Sequence, residues 1–227
     1  MSPLAKVQTD RVKLSVPFYR QASQFTCGPA CFMMAMKFFR PTIHLSLELE
    51  LDIWRESNLV ESYGTSKEGL ALAGARRGFS VFTIGEPRKH SFVDTIADKI
   101  PNIDSKILEL LYKDTRRKFH AMELKNVNRK ITLEETRTLL QKSQIPILLT
   151  ATSLFGGKEA LPHWILLTGY SGSNWYVNNP LAEYGNTRVD QNRLSKNLGY
   201  RGVQCAVVMR GARNTNRLAN PSFLTRA

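Results

Sequence analysis

The pattern of apolar residues changes at Ile145, and that change limits the folds open to the chain. Before it, apolar positions recur at helical spacing; after it, they come in short β-branched runs divided by turn residues such as Ser171-Gly172-Ser173-Asn174. Helices are predicted at 27–39, 45–57, 66–77, 91–99, 104–119 and 132–142. Strands are predicted at 80–84, 145–150, 164–170, 175–178 and 203–209, with Val12 to Tyr19 as an extended entry. Helices first and an antiparallel sheet second make the chain α+β.

Local signals sharpen this reading. Thr26 stands where the N-cap of the first helix belongs, Pro29 falls in its first turn, and Pro41 stops it. Thr132 and Glu135 have the spacing of a capping box. Ser66, Gly69, Ala71, Ala73, Gly74 and Gly78 mark a small-residue helix that packs closely on a neighbour. The stretch Thr152 to Lys158, just before His163, reads as a mobile loop at the edge of a cleft.

A length of 227 residues suits one large domain. The expected division is an N-terminal extension over 1–14, a main domain over 15–210 with a helical, basic insertion at about 91–130, and a basic tail over 211–227. Lys and Arg outnumber Asp and Glu by 32 to 19, a net charge of +13. Much of the excess lies between Lys113 and Lys130 and between Arg188 and Arg226, where Asp190 is the one acid. Such fields attract acidic peptides, nucleic acid or anionic surfaces. Aromatic residues do not interleave with the charges as they would on a base-stacking platform, so nucleic acid is the less favoured partner. No apolar stretch approaches the ~20 residues of a membrane span, and Met1 to Asp10 lacks a signal-peptide core. Three cysteines are too few for a disulfide framework, which implies a reducing, cytoplasmic setting.

Cys27 opens its helix. A thiol there lies against the positive end of the helix dipole, which favours the thiolate and lowers its pKa. Gly28 beside it reads as room for a substrate backbone. Alone, a cysteine that starts an apolar helix is more often a packed core residue than a nucleophile. His163 opens an apolar strand, and Asn179-Pro180 follows 16 residues later, after a hairpin that brings the chain back beside its start. The Asn179 oxygen can then accept from one imidazole nitrogen and leave the other for the thiol, the logic of a nucleophile, a base and an orienting group. A sheet-edge histidine beside a turn asparagine has the same spacing. Cys27 and Cys31 could share a metal, but His44, His90 and His120 show no ligand spacing, and neither metal nor organic cofactor is expected. Trp54, Trp164 and Trp175 fill or edge the core.

Taken together these residues resemble a known family. Gln21-Ala22-Ser23-Gln24-Phe25-Thr26-Cys27-Gly28-Pro29-Ala30 is similar to the catalytic motif of the bacteriocin-processing (double-glycine leader) cysteine peptidases, which have a papain-like fold. His163 through Asn179-Pro180 resembles that family's histidine strand and the acid-proline pair after it, and Ser66 to Ile84 resembles the intervening helix. The resemblance implies that Cys27 attacks a carbonyl, His163 shuttles the proton, Asn179 orients the imidazole, and Gln21 donates to the oxyanion with the Cys27 N–H. Relatives usually carry aspartate where Asn179 stands. Asn178 is the neighbouring candidate, but strand alternation puts it on the opposite face; Gln24 is nearer to Cys27, yet the spacing favours Gln21. Without transporter segments the chain would be a standalone bacterial version. The implied activity is hydrolysis of a peptide or isopeptide bond of a peptide or protein substrate through a thioester, in peptide processing or maturation, and an amine can resolve the same thioester in place of water. The alternative is a noncatalytic papain-like module that binds an anionic peptide or nucleic acid through its basic surface.

Overall fold

A computed structural model describes residues 10–58, 64–86 and 105–212. The helix expected at 91–99, His90 and nearly all of the 211–227 tail lie outside these residues. The first half comprises β1 (Arg11–Lys13), α1 (Cys27–Phe39), α2 (Leu47–Ser57), α3 (Lys67–Arg76), β2 (Phe79–Gly85), α4 (Ser105–Ala121) and β3 (Asn126–Val127). The second half comprises α5 (Leu133–Gln141), β4 (Ile145–Ala151), a 3-10 turn (Thr152–Phe155), β5 (Pro162–Ser171), β6 (Asn174–Asn178), β7 (Thr187–Asp190), α6 (Gln191–Lys196) and β8 (Cys205–Ala212).

Among the described residues one sheet runs β3-β2-β8-β4-β5-β6-β7, with β1 paired to β5. All its pairs are antiparallel except β2 with β3. The helical half therefore donates strands to the sheet: β2 lies between β3 and β8, so helices and sheet interleave more than the sequence order implies. Residues after the predicted helix at 104–119 belong to the same body, because Phe119 and Leu124 are buried in the core and β3 extends the sheet.

Both faces of the sheet are covered. Ile145, Ile147, Leu149, Trp164, Leu166 and Val207 pack with α1 and α3, while Leu148, Ile165, Leu167, Ala206 and Val208 pack with Leu139 and Leu140 of α5. A strand buried on both sides needs apolar residues at consecutive positions, which is why 145–149 and 164–167 read as continuous runs rather than alternations. Helix starts are fixed locally. Ser46, Ser66 and Thr132 accept the N–H groups of Leu49, Gly69 and Glu135, and Asp190 accepts those of Asn192 and Arg193. The capping box at Thr132 is half made, since Glu135 pairs with Arg129 instead of returning to the cap. The stretch after β4 is an ordered 3-10 turn closed by Gly156 in the left-handed region, at φ +86°.

The small residues of α3 serve close approach. A Cβ on Gly69 would stand 2.5 Å from the Ser57 carbonyl oxygen, and one on Gly74 would stand 2.3 Å from the Phe32 ring. Backbone cannot retreat as a side-chain tip can. Gly69→Ala is therefore expected to destabilise the protein by about 1–3 kcal/mol, read as a lower urea midpoint with the slope unchanged.

Candidate active site

Helix α1 is buried from its first residue, with Cys27 through Met36 all inside. Thr26 occupies the N-cap position, but its hydroxyl does not cap; it turns back and donates to the Ser23 carbonyl at 3.2 Å. The segment leading to it is held from two sides. The Gln21 N–H donates to the Pro180 carbonyl at 3.0 Å. The Ala22 N–H donates to Glu50 Oε1 and the Tyr19 hydroxyl to Glu50 Oε2, each at 2.9 Å. Glu50, buried on α2, thus ties the segment down, and burial together with this carboxylate pushes the Tyr19 pKa up to about 12.

His163 is the second residue of β5, and Asn179 follows the end of β6. Their strands pair, and His163 Nε2 lies 2.8 Å from Asn179 Oδ1. The same oxygen accepts the Leu181 N–H at 3.1 Å. An N–H needs an acceptor, so this second bond fixes the amide with its oxygen toward the ring. Nε2 then carries the imidazole proton and Nδ1 is the basic nitrogen. Phe155 stands edge-on to the ring, with centroids 6.3 Å apart. The Trp164 N–H, next along the strand, points at Cys27 Sγ at 3.5 Å. Helix α1 therefore meets the sheet at the residue after His163.

None of Gln21, Cys27, His163 and Asn179 is more than 8% exposed, and this burial dominates their electrostatics. Desolvation pushes the Cys27 thiol above its ordinary value, although the N–H groups of Trp164, Gly28 and Cys27 act against it. The helix-start effect expected from the sequence has the right sign but loses to burial. Desolvation likewise takes the His163 pKa down to about 4, with the Asn179 hydrogen bond opposing it. Both shifts favour the neutral thiol and the neutral imidazole.

The structure brings Cys27, His163, Asn179 and the Gln21 segment to one end of the sheet. The Gln21 carboxamide lies inside, with Nε2 donating to the Ser23 carbonyl and Oε1 lacking a hydrogen-bond partner among the described residues. A second N–H on Nε2 remains to be given. Gln24 is exposed. Asn178 lies on the opposite face, reaching the Pro17 carbonyl at 3.3 Å and accepting the Asn186 N–H at 2.8 Å. Gly28 makes room for the protein and not for a substrate: a Cβ there would stand 2.2 Å from Thr65 Oγ1 and 3.1 Å from Trp164 Cδ1. His44 and His120 are exposed. Sequence reasoning missed Glu50, the Trp164 amide and Phe155. The amide was implied by adjacency to His163, whereas a buried glutamate in an amphipathic helix and a phenylalanine in a turn carry no signal of their own.

A family model described as the Peptidase_C39 like family matches residues 16–197. The chain belongs to that family. Among solved structures it is similar to the peptidase domain of Streptococcus ComA, a bifunctional ABC transporter involved in a quorum-sensing pathway, at 14% identity and a TM-score of 0.45 over 87% of this chain and 98% of that one. It is also similar to a C39-like peptidase from Bacillus anthracis, at 14% identity and a TM-score of 0.43 over 88% and 96% of the two chains. A third is a Carica candamarcensis cysteine protease in complex with E-64, at 14% identity and a TM-score of 0.47 over 90% and 99%. No curated protein matches the chain. The fold is papain-like α+β, with the Cys27 helix packed against an antiparallel sheet. No helix among the described residues is long and apolar enough to cross a membrane.

Two outcomes follow from the site's electrostatics. Alkylation of Cys27 by iodoacetamide should accelerate continuously between about pH 6 and pH 9, as a neutral thiol requires; a rate already flat at pH 6 would mean a preformed thiolate–imidazolium pair. His163 titrates near 6.5 when unfolded and about 4 when folded, so its contribution to stability is complete above 6.5 and is lost as the pH falls toward 4. Urea denaturation should show a loss of about 3 kcal/mol over that window from this residue, absent in His163→Gln.

Proposed function

We propose that the protein is a cysteine-dependent hydrolase that cleaves a peptide or isopeptide bond through a thioester on Cys27, in peptide processing or maturation. The observation that carries this reading is the paired geometry of β5: His163 is locked to Asn179 through Nε2, and the next N–H along the strand reaches the Cys27 sulfur. A histidine held so that one defined nitrogen stays basic, one residue from a thiol, is arranged for proton transfer.

In this reading the His163 Nδ1 takes the Cys27 proton as the sulfur attacks the carbonyl. Because the resting pair is neutral, ionisation accompanies attack. The oxyanion accepts from the Cys27 N–H and from the second N–H of Gln21 Nε2, whose first is engaged by Ser23. Imidazolium then protonates the departing amine, and the carbonyl carbon is left as a thioester. Water, deprotonated by His163, releases the acid and restores the thiol. Asn179 keeps the imidazole in one tautomer and, with Phe155 beside it, in one orientation. An asparagine lends the imidazolium less charge stabilisation than an aspartate does, which accords with a pair that rests uncharged.

Digestion of a proteome-derived peptide library, read by mass spectrometry, tests the reading. The wild type should generate new peptide ends and Cys27→Ala none, with Gln21→Ala slowed about 10²–10³-fold. Undiminished cleavage by Cys27→Ala would overturn it.

A further inference from the structure

The His163 imidazole and the Trp164 indole leave β5 in opposite directions, because side chains alternate along a strand. Asn179 and Phe155 stand beside the imidazole. The indole packs with Leu149 in the core shared with α1 and α3, and donates from Nε1 to the Thr65 carbonyl at 3.2 Å. In the proposed reaction the departing amine takes its proton from His163, so the leaving segment lies on the imidazole side. The acyl segment then runs along the indole side.

A pocket opens on that side, lined in part by Thr65, Tyr112, Leu149, Trp164 and Val203. Two of these residues join it to Cys27. A Cβ on Gly28 would stand 2.2 Å from Thr65 Oγ1 and 3.1 Å from Trp164 Cδ1, and the Trp164 N–H points at Cys27 Sγ at 3.5 Å. The Thr65 hydroxyl, on a residue 4% exposed, has no hydrogen-bond partner among the described residues. A buried hydroxyl left without a partner marks a place that a ligand can complete.

The pocket is acidic in a chain of net charge +13. Its charged residues are Lys67, Glu68 and Glu86. Lys67 Nζ is committed, to Glu68 Oε1 at 2.7 Å and to Asn126 Oδ1 at 2.8 Å. Glu68 is only 8% exposed, and its second oxygen has no hydrogen-bond partner among the described residues. Glu86 is exposed and makes neither an ion pair nor a hydrogen bond among those residues. Arg116, whose guanidinium lies over the Tyr112 ring at 5.8 Å, and His120 border an adjoining cavity that shares Glu68 and Glu86, and neither pairs with them. One carboxylate in excess, beside tryptophan, tyrosine, leucine and valine, suits a side chain with an apolar stem and a cationic head.

We infer that this pocket holds a lysine or arginine side chain of the substrate, carried by one of the two residues before the cleaved bond. Glu68 Oε2 and the Glu86 carboxylate receive the cationic head, while Trp164, Tyr112 and Val203 cover its stem. This deepens, and rests on, the proposed thioester chemistry. Net charge acts at long range and is screened by salt, whereas the pocket acts at contact, so a basic protein can still select a basic side chain.

Dipeptide chloromethyl ketones test the inference, since their ketone stands where the scissile carbonyl would. The Cys27 sulfur attacks the methylene carbon, a C–S bond forms as the C–Cl bond breaks, chloride departs, and the thiol proton passes to His163. Acetyl-Lys-Lys chloromethyl ketone should label Cys27 about tenfold faster than the Leu-Leu compound, the size of effect that one hydrogen bond to a charged group gives. The Glu-Glu compound should be slower still. In Glu86→Gln the Lys-Lys to Leu-Leu ratio should fall severalfold, and in Glu68→Gln/Glu86→Gln it should approach one. Glu86 is exposed, so the single variant should keep the wild-type melting temperature. Equal labelling by the Lys-Lys and Leu-Leu compounds, or an unchanged ratio in Glu86→Gln, would overturn the cation pocket and leave the hydrolase reading standing. Absence of Cys27 labelling by all three would overturn both.

Discussion

The seam between α1 and β5 is the contact on which the site depends. Trp164 contributes its main chain to both cysteines of the helix: its N–H points at Cys27 Sγ, and its carbonyl accepts from Cys31 Sγ at 3.4 Å. The Trp164 side chain crosses to Thr65, donating from Nε1 to that carbonyl at 3.2 Å. One residue thus joins α1, the central sheet and the entry to α3. The thiols sit at i and i+4 on one helical face, so both reach the same strand. Gly28 lets the seam close, because any larger residue would collide with Thr65.

The same closeness sets the chemistry. A helix start and three nearby amides favour the thiolate, yet the sulfur has lost its water, and desolvation of a charged group outweighs a few partial charges. The imidazole, also buried, is held neutral. A site built in this way stores no separated charge at rest. In the proposed reaction, charge develops only when a substrate carbonyl and its oxyanion donors share the field, so most of the electrostatic advantage falls in the transition state.

Much of this was legible in one dimension. The strong apolar helix at 27–39 and the strands at 145–150 and 164–170 were evident because their residues are buried on nearly every side, which leaves little ambiguity of pattern. Asn179 could be paired with His163 from the length of a hairpin, since antiparallel strands return a chain to its start. The short elements escaped. β7 and α6 are defined by Asp190 capping and by pairing to β6, and six residues such as Gln191 to Lys196 have no apolar period long enough to detect. The placement of β2 between β3 and β8 was hidden as well, because strand order in a sheet depends on contacts between segments more than 100 residues apart.

Sequence alone determined the long elements and singled out the candidate residues, because periodicity, caps and residue chemistry are local properties. It determined too that Cys27 starts a helix and that His163 lies near the start of a strand. Tertiary structure decided their state. Whether Cys27 rests as thiol or thiolate depends on how much water reaches it, and whether Gly28 faces a ligand or Thr65 depends on where α3 packs. Solvent exclusion and close approach are sums over distant parts of the chain, and no local pattern carries them.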